Sequence, residues 1–182
     1  MVNGVAAGAG ADEDQAIDAL LRRFPRAWAG ALPPRLRSPK PLPKASKAAA
    51  NAPGGDALQY VAGHAPNPGQ AEAIARIGAS FGGFRAFLLH GITGSGKTEV
   101  YLRLIADVID RGQQALALVP EIGLTPQLEK RFRAAFPHAR IAVLHSALED
   151  TPRTHAWLDA ARGAAQIVLG TRLAVLTPMP RL

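Results

Sequence analysis

Eight residues constrain this chain more than any others: Gly91, Ile92, Thr93, Gly94, Ser95, Gly96, Lys97 and Thr98, which follow the apolar run Ala86 to His90 and precede a helical repeat. Their place between apolar run and repeat makes them a strand-to-helix turn. Glycine at the first, fourth and sixth positions lets the backbone turn where side chains would block it and lets N–H groups approach an anion closely. The helix N-terminus after Gly96 adds unpaired N–H groups aimed at the same place. The spacing G-x-x-x-x-G-K-[ST] is that of a P-loop, in which Lys97 bridges the β- and γ-phosphates of a nucleoside triphosphate and the Thr98 hydroxyl ligates Mg²⁺. The alternative is a Gly-rich turn that binds nothing.

The surrounding pattern agrees with such a turn. Short apolar runs alternate with helical periodicity from about Asn67, the mark of βα units and a parallel sheet. Ala86 to His90 reads as the first strand. Lys97 to Asp110 carries the stripe Tyr101, Leu104, Ile105, Val108 and Ile109, with Gly112 just beyond as a stop. Ala115 to Val119 is continuously apolar, as for a strand covered on both faces. Thr125 and Pro126 open a helix that buries Leu128, Phe132 and Phe136 and ends before Pro137. Ile141 to Leu144 and Ile167 to Leu169 read as further strands, with a helix opened between them by Thr151 and Pro152. His145, at a strand end, is expected to be satisfied by local hydrogen bonds.

The first third of the sequence reads differently. Residues 12–28 make one short amphipathic helix with Ile17, Leu20, Leu21 and Phe24 on a face, interrupted by Pro25. Residues 29–55, rich in Pro, Ala and Lys, read as a disordered linker, which leaves 1–28 as an N-terminal segment and 56–182 as the folded domain. Residues 1–55 carry eight Lys or Arg against four acids, and no acid lies between Asp18 and Asp56. A polyanion such as DNA is an expected partner, and a solvated basic linker is the alternative. No stretch has the length and apolarity of a membrane span, and the start lacks the pattern of a signal peptide, so a cytoplasmic location and no membrane partner are expected. With zero Cys in 182 residues, disulfides and Cys-ligated metals are excluded.

Four blocks give a family resemblance. GITGSGKTEVYLRLI (91–105), ALALVPEIGLTPQ (115–127), VLHSAL (143–148) and IVLGTRLAVLTPMPRL (167–182) resemble, in order, the P-loop segment and the following motifs of the PriA family of replication-restart DNA helicases. Upstream, PNPGQAEAI (66–74) is similar to the segment in which a glutamine, here Gln70, reads adenine. The resemblance implies a RecA-like P-loop NTPase lobe, ATP and Mg as cofactors, and 3′-to-5′ translocation on single-stranded and forked DNA, with primosome proteins as partners. It also implies that Pro120, Glu121, Thr125, Gln127, Thr171 and Arg172 lie along the bound strand. On chemistry alone, Thr125 is as readily a helix cap and Arg172 a surface charge.

The sequence also departs from the family pattern. Leu173 and Ala147 stand where a serine and a glycine are expected. No Asp-Glu pair follows a late strand, so the family's DEEH box, whose carboxylates hold Mg²⁺ and position the attacking water, is not found in residues 1–182. The family's Cys-rich zinc region is also not found, so no catalytic set is complete here. An incomplete lobe that binds ATP without hydrolysing it, and that leaves sheet edges and apolar surface exposed, is the expectation. Two other readings stand beside it: a small P-loop kinase, for which VPEIGLTPQ supplies neither an arginine lid nor an acceptor pocket, and a non-catalytic DNA-binding module that works through the basic segment.

Overall fold

The computed structural model describes residues 15, 17–22, 32–37, 60–120 and 125–182. Most of the N-terminal segment and of the expected linker, together with Glu121, lies outside the described residues. The elements are α1 (Pro68–Gly78), α2 (Lys97–Asp110), β1 (Ala115–Leu118), α3 (Thr125–Ala135), β2 (Ile141–Leu144), α4 (Asp150–Ala161) and β3 (Ile167–Gly170), with 3-10 turns at Pro34–Leu36 and Arg172–Leu176.

All pairings are parallel, in the order β1-β3-β2. Helices cover both faces, because side chains alternate along each strand. Ile141, Ile167 and Leu169 face α2 and α3, where they meet Leu102, Ile109, Phe132 and Phe136. Ala142, Leu144 and Val168 face the other way, onto Trp157 and Leu158 of α4. The central strand β3 is fully buried, which its unbroken apolar sequence requires. This is part of a RecA-like α/β lobe.

Local signals set most boundaries. Asn67 accepts from the Gln70 amide while the Gln70 side chain accepts from the Asn67 amide, a capping box that starts α1 with Pro68 in its first turn. Gly112, at φ 74°, lies just past the end of α2. Arg140 and Asp159 form an ion pair at 3.0 Å, almost wholly buried. Burial raises the Asp159 carboxyl above its ordinary range, and the Arg140 guanidinium opposes that shift.

The structure corrects four readings. Ala86 to His90 is extended but unpaired, and Phe84, Phe87 and Leu88 are exposed. Its apolar content fits a strand, but a strand forms only where a neighbour accepts its backbone, and none of the three paired strands does so here. For the same reason β1 is an edge strand whose last residue, Leu118, is exposed. On α2 the fully buried residues are Val100, Leu102 and Ile109, whereas Tyr101 is exposed, because the helix packs against α1 as well as the sheet. Leu32 and Leu36, inside the stretch that reads as a linker, are buried against Leu144, Trp157 and Ala174, and Ile17 joins the same core.

Candidate nucleotide-binding site

The P-loop residues form a turn closed by a hydrogen bond from the Ser95 amide to the Ile92 carbonyl at 3.2 Å. Gly94 and Gly96 have φ of 83° and 79°, a conformation that glycine adopts without strain. A Cβ on Gly91 would stand 2.7 Å from Ser95 Oγ, so any larger residue there would turn the Ser95 hydroxyl aside. Gly96 is the N-cap of α2 and has no side chain to satisfy the first amides, which leaves them for an anion. Lys97 and Thr98 then occupy the first turn.

Lys97 folds back over the loop. Its Nζ donates to the Gly91 carbonyl and, at 2.8 Å, to the Ile92 carbonyl. Gln70, far away in sequence, reaches the same loop: its Nε2 donates to the Ser95 and Gly96 carbonyls at 3.4 and 3.3 Å. The glutamine that the sequence singles out therefore meets the P-loop in space. The residues fit a triphosphate with Mg²⁺: glycine backbone at the turn, a cation within reach, a hydroxyl at Thr98 and an open helix end.

A cluster that sequence reasoning missed holds α2 in place. Tyr60 donates to Glu99 Oε1 at 2.8 Å, Arg103 Nε donates to the same oxygen at 2.9 Å, and Arg103 Nη2 donates to the His64 carbonyl at 2.7 Å. The Glu99 to Arg103 spacing was a legible helical ion pair; the Tyr60 contact was not. Burial and the Glu99 carboxylate push the Tyr60 phenol up to about 12. Because the Glu99 carboxylate is engaged by Tyr60 and Arg103, this nearest acid to Lys97 in sequence is a structural anchor of the P-loop helix.

The residues expected along a bound strand are placed as follows. Pro120 and Thr171 follow the paired ends of β1 and β3, where the Val119 amide donates to the Gly170 carbonyl at 2.8 Å. Thr171 is buried and Arg172 exposed beside it. Gln127 is exposed on α3. Of Thr125 only the backbone, which opens α3, is described. His145, expected to be locally satisfied, instead has a buried Nδ1 with no hydrogen-bond partner among the described residues. Among the described residues no group of three or more His, Cys, Asp or Glu could hold a metal ion, and no helix is long and apolar enough to cross a membrane.

Comparison with known proteins gives the lineage. The family model "DEAD/DEAH box helicase" matches residues 67–180, more than half of the chain. The replication restart protein PriA of Synechocystis sp. is 53% identical over 100 residues, covering 55% of this chain and 12% of the relative. PriA of Haemophilus influenzae is 51% identical over 100 residues (55% of this chain, 14% of the relative), and PriA of Bacillus subtilis 44% over 98 residues (54% and 12%). The matches thus span roughly an eighth of these relatives' own lengths. The match over residues 67–180 shows that the chain belongs to the DEAD/DEAH box helicase family, where its likeness is to the replication restart protein PriA.

Proposed function

We propose that residues 67–182 are the ATP-holding part of a cytoplasmic, ATP-dependent 3′-to-5′ DNA helicase of replication restart, working on single-stranded and forked DNA with primosome proteins. The observation that carries this reading is the convergence of Gln70, Lys97 and the α2 N-terminus on one glycine turn. In this reading Gly91 through Gly96 wrap the phosphates with their backbone. Lys97 leaves the Gly91 and Ile92 carbonyls for the β- and γ-oxygens, Thr98 ligates Mg²⁺, and Gln70 turns its amide to the adenine. Pro120, Glu121, Thr125, Gln127, Thr171 and Arg172 lie along the bound strand; Pro120 and Thr171 support this by following the ends of β1 and β3, where loops from successive strands share one surface.

Residues 1–182 contain the phosphate-binding half of the site. Glu99 is held by Tyr60 and Arg103, and Asp150, in the Glu149-Asp150 pair after β2, is drawn to Arg35 and Arg153. The polypeptide 1–182 by itself therefore binds ATP and does not turn it over. A phosphate-release assay with and without single-stranded DNA tests this. No DNA-stimulated release, alongside retained nucleotide binding, is expected; sustained turnover would show that a water-positioning carboxylate is present after all.

A further inference from the structure

Gln70 hangs from a helix that the core does not hold. α1 has no buried residue, whereas α2, against which it packs, buries Val100, Leu102 and Ile109. The Gln70 Nε2 bonds tie α1 to the P-loop only while the amide is turned to the Ser95 and Gly96 carbonyls. An amide that turns to a purine edge leaves both, and the aim of the helix then depends on what holds its entry. That entry is residues 60–67, which form neither helix nor strand. Only Ala65 and Pro66 separate His64 from the Asn67 cap, and prolines at 66 and 68 fix φ on either side of that cap. A carbonyl held at His64 thus sets the direction in which α1 starts.

The entry is strapped to two helices. The Val61 amide donates to the Ala135 carbonyl at the end of α3 at 2.9 Å, and the Tyr60 ring lies 5.4 Å from that of Phe136. On α2, Glu99 Oε1 accepts from both the Tyr60 hydroxyl and Arg103 Nε, and Arg103 Nη2 donates to the His64 carbonyl at 2.7 Å. Arg103 also lies over the Tyr60 ring, its Cζ 5.7 Å from the centroid. The Arg103 and Glu99 side chains are only 23% and 15% exposed, which shields these bonds from competing water. We propose that Arg103, with Tyr60, is a positioning residue for base recognition: by gripping the His64 carbonyl from α2 it holds Gln70 where its amide can meet a purine edge, and so sets the preference for adenine over guanine. This rests on the reading in which the glycine turn holds ATP and Gln70 reads the base. Both residues act through Gln70.

The test uses the whole chain with Mg²⁺ and three probes: ATP, GTP and inorganic tripolyphosphate, which carries the phosphates without a base. Isothermal titration gives the affinities, and circular dichroism establishes that each variant is folded. Arg103→Gln removes the grip on His64. Tyr60→Phe removes the hydroxyl but keeps the ring on Phe136, so it decides the matter where Arg103→Gln does not fold. The parent is expected to prefer ATP to GTP. Each variant should bind ATP severalfold more weakly with tripolyphosphate affinity unchanged, so that the preference falls towards that of Gln70→Ala, and adding either change to Gln70→Ala should lower it no further. A folded variant that keeps the parent's preference overturns the proposal while the nucleotide reading stands. Equal losses for ATP and tripolyphosphate also overturn it, because the cluster then serves only the P-loop helix. A parent that binds tripolyphosphate without distinguishing ATP from GTP overturns it together with the role of Gln70, and a parent that binds none of the three overturns it together with the nucleotide reading.

Discussion

Gln70 has two amide atoms and both are engaged, Oε1 by the Asn67 amide at 2.9 Å and Nε2 by the Ser95 and Gly96 carbonyls. It therefore couples the start of α1 to the P-loop, and reading an adenine requires it to give up part of that coupling. Gln70→Ala removes these side-chain bonds and should lower stability by about 1–3 kcal/mol, at about 0.5–1.5 kcal/mol for the Asn67 bond and as much again for the shared, longer Nε2 contacts, and erase any preference for ATP over GTP. Denaturant unfolding and nucleotide competition would measure the two effects. Tyr60 gives a pH test at the same scale. Its folded value of about 12 lies above the ordinary 10.0, so the protonated phenol's stabilisation is full below about pH 10 and is lost as pH rises through 12. In a Tyr101→Phe background, tyrosinate absorbance should appear near pH 12, and Glu99→Gln should bring it down. Absorbance near 10 in the Tyr101→Phe protein would mean that the Tyr60 to Glu99 bond does not hold in solution.

At the scale of elements, the sequence was most legible where local chemistry decides. Glycines at 94 and 96, the Asn67 to Gln70 box, Gly112 and the all-apolar β3 each name their own conformation. Legibility failed where long-range packing decides. Leu-Pro-Pro-Arg-Leu reads as linker by composition, yet Leu32 and Leu36 are 6% and 7% exposed against Trp157 and Ala174, contacts no local rule anticipates. Leu36→Ala should thus cost about 2–5 kcal/mol, the range for truncating a buried leucine, where a linker residue would cost nothing measurable. Thermal or urea unfolding of the variant decides between them. Ala86 to His90 shows the opposite failure: its apolar run resembles a buried strand, but pairing depends on a neighbour that its own residues cannot specify.

Taken whole, the described residues form a three-stranded parallel sheet clothed on both faces, beside a P-loop whose preceding apolar segment lies open: Phe84 is 101% exposed and Leu88 90%. The candidate site was legible to a different degree in each half. The glycine turn at 91–98 is a run of contiguous residues, so its spacing disclosed its conformation. The residues proposed to lie along a strand come from the ends of separate strands, and only the fold brings the end of β1 beside the end of β3. The central claim is that the glycine turn at 91–98 holds ATP through Lys97. Isothermal titration of Mg-ATP into the 182-residue chain and into Lys97→Ala, with circular dichroism to establish that both are folded, tests it most directly. Saturable binding by the parent and none by the variant is the predicted result; equal binding by both, or no binding by a folded parent, would contradict it.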